Sequence, residues 1–172
     1  MRIVFSIFIL ICLTFSSCSR IRSKGNEITE KVILKAKNKS KDLVDKVFPV
    51  FNAYEADTRY NRKRFVEYLE VELTSDVKDV YCYGDFMGID YKVLFTFVCD
   101  PSTIHRIIEK KQLELTKDNK DNGLFFLDEI KWWDKEKIYK LIPFKQGEEN
   151  KYWQYLWYDE DDKRAYYLQF SL

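Results

Sequence analysis

The side chains best suited to nucleophilic or metal chemistry are a single histidine and four cysteines, and their spacing restricts both uses. His105 stands alone, and a Ser-His-Asp or Cys-His couple needs a nucleophile that no neighbouring motif supplies. No G-x-S-x-G turn occurs. H-E-x-x-H and C-x-x-C spacings are also absent, so zinc has no ligand set. His105 is read as a helix-surface residue. Cys82 and Cys99 either pair as one disulfide in an oxidising compartment or stay apart as buried thiols, according to a strand register that spacing does not reveal. The run Asp159-Glu160-Asp161-Asp162 and the loop from Asp118 to Gly123 carry the hard oxygens calcium prefers, but not in the ligand phase of a calcium loop, and both read as solvated turns. Asp85 and Asp90 bracket another turn, and acid–base work would need two such groups across a cleft. No glycine-rich phosphate loop is present. The expectation is a chain with no catalytic residue, metal or cofactor, and not an enzyme.

Cys18 has a different setting. Arg2 is followed by the uncharged apolar run Ile3 to Phe15, and then by Ser16 and Ser17 directly before the thiol. That is the charged, apolar and small-residue order of a secretory signal peptide, and the run is too short for the roughly 20 residues of a spanning helix. Phe15-Ser16-Ser17-Cys18 resembles the lipobox of bacterial membrane lipoproteins, with Phe15 where that motif usually carries Leu. The resemblance implies cleavage before Cys18 and lipidation of its sulfur and amine with two or three acyl chains. Each buried methylene contributes about 0.8 kcal/mol, and two chains hold where one is marginal. It further implies a bacterial cell-envelope location. Ser19 rather than Asp after Cys18 resembles lipoproteins released to the outer membrane, on its periplasmic or surface face. The rest of the chain is similar in its Lys, Asn, Ile and Tyr bias to small envelope lipoproteins from AT-rich bacteria.

Loss of residues 1–17 removes one charged group, Arg2, and leaves 28 basic side chains against 28 acidic ones. A balanced surface gives no general attraction to nucleic acid or anionic lipid, and no nucleic-acid partner is expected. The remaining length suits one domain with one core. The expected organisation is a signal peptide over 1–17, a flexible spacer over 18–26, and one domain over 27–172 that begins with a helix.

The elements that must position these residues follow from periodicity. Glu27 to Val47 spaces Ile28, Val32, Ala36, Leu43, Val44 and Val47 at helical intervals, with a break at Asn38-Lys39-Ser40 and a stop at Pro49. A second short helix carries Phe65, Tyr68 and Leu69, capped near Asp57-Thr58 or Asn61. Asp79–Asp85 and Tyr91–Cys99 read as a hairpin, with Tyr91, Val93, Phe95 and Phe97 toward the core. Asp100-Pro101 starts a helix with Ile104, Ile107 and Ile108 inward. Leu113 and Leu115 suggest a short strand, and Asp134 caps a short helix. Tyr152–Tyr158 and Ala165–Phe170 flank the acidic turn as a second hairpin. The fold class expected is α+β, an antiparallel sheet built from two hairpins and packed against helices on one face.

Aromatic residues make up 17% of the chain, and the second hairpin carries rings on both faces. Trp153 and Trp157 are core while Tyr152, Tyr158 and Tyr166 line a surface, or the reverse. Exposed rings recognise protein partners as interface anchors or stack on sugars. The candidate binding surface is therefore Tyr152, Trp153, Tyr155, Trp157, Tyr158 and Tyr166. The expected function is that of a lipid-anchored module that binds a protein partner, of inhibitor or immunity type, with glycan binding as the alternative.

Overall fold

The computed structural model describes residues 31–37, 39–40, 45, 49–87, 90–117, 130–149 and 151–171. The lipobox, Cys18, the spacer, the loop Asp118–Gly123 and the side chain of Asp90 lie outside the described residues. Two compact units emerge, Met1–Pro49 and Val50–Leu172. In that first unit residues 31–37 form a helix (α1), and the Ser40 hydroxyl donates to the Lys37 carbonyl at 2.9 Å. Among the described residues no helix is long and apolar enough to cross a membrane.

The second unit is an α+β fold. Its order is α2 (Arg59–Leu69), β1 (Lys78–Met87), β2 (Asp90–Val98), α3 (Pro101–Lys111), β3 (Glu114–Leu115), α4 (Lys135–Lys140), β4 (Phe144–Glu148), β5 (Tyr152–Asp159) and β6 (Arg164–Ser171). One six-stranded sheet runs β1-β2-β6-β5-β4-β3 with every pairing antiparallel. Both expected hairpins are present as β1–β2 and β5–β6, and β2 joins β6 between them. β4 escapes a reading by apolar alternation because Phe144 is its one large apolar residue.

The larger core lies where α2 and α3 cover the sheet. Val93, Phe95 and Phe97 of β2, Leu156 of β5 and Ala165 and Tyr167 of β6 pack against Phe65 and Leu69 of α2 and Ile104 and Ile107 of α3. Phe65 meets Phe97 edge-on at 4.9 Å, a geometry aromatic quadrupoles favour. The opposite face carries a second core. There Leu94, Tyr155, Trp157, Tyr166 and Leu168 are covered by Trp133 and by Ile138 of α4. Helical cover is thus not confined to one face, because α4 and the tryptophans before it close the other. Strands desolvated on both sides need apolar side chains at successive positions rather than alternate ones, and this explains the aromatic excess.

Buried Asn61 ties the entry of the chain to α2 and the sheet edge. Its Nδ2 donates to the carbonyls of Asn52 at 2.9 Å, Glu55 at 3.0 Å and Val80 at 3.0 Å, and its Oδ1 accepts the Asn52 amide at 3.0 Å. Arg64 Nε adds a bond to the Val50 carbonyl at 3.3 Å. Asp57 then accepts the Asp79 amide at 2.9 Å, and its own amide donates to the Val80 carbonyl at 2.9 Å, so Asp57 pairs with the start of β1 at its open edge. Gly84 completes this junction. A Cβ there would sit 2.4 Å from the Phe51 ring, so the bare backbone is what seats Phe51 against the core.

Replacing Asn61 by Ala removes one side chain and strands several polar groups inside the fold. Asn61→Ala should lower the unfolding free energy in urea by about 3 kcal/mol, because unsatisfied buried groups cost about 1–3 kcal/mol each. The control is Thr58→Ala, which loses only the N-cap bond to the Asn61 amide and should lower it by about 1 kcal/mol. Equal effects from the two variants would remove the special role given to Asn61.

Candidate functional site

A groove opens between α3, the edge strand β3, the segment from α4 to β4, and the β5–β6 turn, enclosing about 540 Å³. Ile104, Ile108 and Phe144 form its apolar floor, while Leu115 and Ile142 stand at its lip with 64% and 56% of their surface exposed. His105, Lys140, Glu160 and Asp161 supply the polar rim. Leu115 and Ile142 are thus large aliphatic side chains left open beside the groove.

Each wall is held by a distinct interaction. The start of α3 is stapled by Asp76, whose Oδ2 accepts the Thr103 hydroxyl at 2.7 Å and the Asp100 amide at 3.1 Å. Arg106 donates to the Thr74 and Thr103 hydroxyls at 2.8 and 2.6 Å. The Asp100 side chain does not cap its own helix and instead meets Lys163 at 3.0 Å. α4 is capped by Asp134, whose Oδ1 accepts the Lys137 amide at 3.0 Å. Lys137 reaches over to the β5–β6 turn, where it pairs with Asp159 at 2.5 Å and with Asp162. The hydrogen bond from Lys137 holds the Asp159 carboxyl below its usual range. Asp159 Oδ1 also accepts the Asp161 amide at 3.0 Å, which closes the turn. The acidic run thus folds around a lysine, and Glu160 and Asp161 remain exposed on the groove side. Among the described residues no group of three His, Cys, Asp or Glu side chains is placed to hold a metal ion.

The ring surface expected from the sequence divides. Tyr155, Trp157 and Tyr166 are 1%, 0% and 2% exposed, in the second core, and cannot meet a ligand. This corrects the expectation, and the reason is that Trp133 packs edge-on against Trp157 at 6.2 Å and against Tyr166 at 5.8 Å. Trp153 is half-buried, with its ring against Gly147 and the Lys145 ammonium 4.1 Å from its centroid. Tyr158 lines the groove but spends its hydroxyl on the Cys99 carbonyl at 3.0 Å. Tyr152 is half-buried and its hydroxyl accepts from Gln146 Nε2 at 3.0 Å.

Cys82 and Cys99 are free and buried, which decides against the bridge. Cys82 faces Phe95 across the β1–β2 ladder, and Cys99 follows the end of β2 at Val98, roughly 13 Å of extended chain from Phe95. A disulfide tolerates at most about 7 Å between Cα atoms. Burial pushes the Cys99 thiol up to about 12 and the Cys82 thiol up as well, so neither is a nucleophile at neutral pH. His105 is exposed on α3, as expected of a surface histidine, and borders the groove.

Sequence reasoning missed both the groove and a row of three glutamines. Gln146, Gln154 and Gln169 stand directly opposite one another on β4, β5 and β6. The signal available was a polar residue at a core-phase position in each of two strongly apolar strands, Gln154 among the rings of β5 and Gln169 in β6.

Comparison with family models, with curated proteins and with solved structures yields no match, so function is argued from the chain's own geometry.

Two outcomes test this description of the site. Burial opposes ionisation of Asp76, but hydrogen bonds from Thr74, Thr103 and the Asp100 amide outweigh it and bring the carboxyl to about 2. Because that lies below the ordinary 3.8, the charged staple stabilises the fold above about pH 4, and this contribution disappears as pH falls toward 2. Thermal melts of wild type should show that loss, and Asp76→Asn should be less stable at neutral pH with a flatter profile between pH 4 and 2. In a chain carrying Cys12→Ser and Cys18→Ser, Cys82 and Cys99 should resist an aromatic disulfide reagent in the native state at pH 8 and both react after denaturation. A thiol that reacts at once in the folded chain would contradict the burial described.

Proposed function

We propose that the chain is a membrane-anchored lipoprotein of the bacterial cell envelope whose folded unit is a non-enzymatic, protein-binding module. The observation that carries the binding reading is the groove with Leu115 and Ile142 exposed at its lip. The occupant inferred is a segment of a partner protein that offers apolar side chains to Ile108 and Phe144 and a basic residue to Glu160 and Asp161. Two arguments favour a protein over a small substrate. The site is an open groove beside an edge strand of two residues, the kind of margin to which an extended peptide adds. Its rim carries two solvent-facing carboxylates, whereas the cysteines that could act as nucleophiles are buried and protonated.

The anchor reading rests on the order of Arg2, the apolar run, Ser16-Ser17 and Cys18. It fits the role because a domain that acts by capturing a partner gains from being held at one surface, where linkage raises its effective concentration.

Intact-mass measurement on protein from native membranes should give a chain that begins at Cys18 and carries several acyl chains. Retention of Met1, or an unmodified amine at another residue, would remove the anchor. For the groove, one stoichiometric envelope protein should co-purify with wild type and fall at least tenfold with Ile142→Asp or Leu115→Asp, both exposed positions where the fold tolerates a charge. A partner that both variants retain, or no partner at all, would sink the binding reading.

A further inference from the structure

The balance of charge over the whole chain conceals a separation between the two units. Residues 18–49 carry nine basic side chains against four acidic ones, and residues 50–172 carry nineteen against twenty-four. An excess of positive charge in the first unit is thus matched by an equal excess of negative charge in the second. Within the first unit the surplus is concentrated. Lys31, Lys35, Lys37, Lys39 and Lys41 fall within eleven residues, with no acidic side chain between them.

The helix α1 sets that charge beside apolar surface. Lys31 and Lys35 stand one turn apart, and Val32 and Ala36 form the next line around the helix. Val32, Ile33 and Leu34 are 61%, 60% and 59% exposed, and Lys35, Lys37 and Lys39 are exposed as well. A helix that only spans solvent would carry polar residues all round. Charge and aliphatic exposure together select the occupant. An anionic bilayer offers phosphates to the lysine heads, and an acyl boundary to the aliphatic side chains and the lysine stems. Single-stranded nucleic acid offers phosphates and bases that stack on rings, and residues 31–41 contain no ring.

We propose that α1 and the lysines around it bind an anionic phospholipid surface, lying in the headgroup layer beside the anchor. This rests on the lipid anchor proposed at Cys18, since Lys31 is thirteen residues farther along the chain. A stretch of that length spans at most about 45 Å, so a tethered helix is never out of reach of the bilayer. Adsorption then adds a polybasic signal to acylation, and the two together hold more firmly than either alone. The same field repels the net acidic second unit, so it draws in the helix without drawing in the sheet.

The test is flotation of the mature chain, residues 18–172 with Cys18→Ser, on vesicles of phosphatidylglycerol and phosphatidylcholine in equal parts. Partition should exceed that on phosphatidylcholine alone by about tenfold or more, and should vanish in about 0.5 M salt. Lys35→Ser, Lys37→Ser and Lys39→Ser together should lower it about tenfold or more, with the melting temperature close to wild type. Val32→Ser with Ile33→Ser should weaken it severalfold at unchanged charge. No preference for the anionic vesicles, or a preference that the lysine variant keeps, would overturn the proposal. Partition that the aliphatic variant leaves intact, or equal binding to double-stranded DNA, would mark a bare polycation and overturn it too. Because Cys18→Ser removes every acyl chain, failure here is distinct from failure of the anchor in the intact-mass measurement.

Discussion

β2 and β6 lie far apart in the chain, yet Lys92 through Val98 pair with Phe170 through Arg164 and fuse two hairpins into one sheet. Everything else in the second unit is arranged around that seam. It places Phe95 beside Tyr167 on one face and Leu94 beside Leu168 on the other, so both cores begin at the same pair of strands. Each hairpin alone would be marginal in water. The seam closes a long loop before it gains any contact, a step whose entropy must be offset by packing on both faces. Rings supply that packing efficiently because each buries a large area with few torsions to freeze.

Covering both faces of the seam has a direct functional consequence. The centre of the sheet is closed to any ligand, as the full burial of Trp157 and Tyr167 makes plain. The groove instead lies at the β3–β4 margin of the sheet, between α3 and the segment from α4 to β4. Phe144 of β4 forms part of the groove floor, and Gln146, two residues on, begins the amide row.

Much of the fold was legible because local signals agreed with the tertiary structure. The α+β class, both long hairpins, the Pro101 helix start, and the inward set Val93, Phe95 and Phe97 all follow from alternation and capping. The site was less legible because it depends on what lies across the sheet. Rings on both faces of β5 look like a surface when one face is assumed wet, and nothing in Tyr152–Tyr158 announces that Trp133 will arrive to cover them. The choice between a bridge and two buried thiols stayed open for a related reason: each cysteine is in a strand or at its end, and only the register puts Cys82 opposite Phe95 rather than opposite Cys99. The glutamine row depends on three registers at once, none of them written in the spacing of Gln146, Gln154 and Gln169.

The polar groups inside this unit separate into two kinds. Asn61 has its donors and acceptor fully engaged with the backbone, and Asp76 is surrounded by donors. Both behave as fasteners, and a buried network of that kind favours one structure because a half-satisfied version is worse than none. Gln154 and Gln169 meet the buried Tyr167 hydroxyl at 2.9 and 2.8 Å, and Gln146 donates to the Tyr152 hydroxyl at 3.0 Å. The glutamines tie side chain to side chain across three strands, whereas Asn61 ties a side chain to the backbone of the chain's entry.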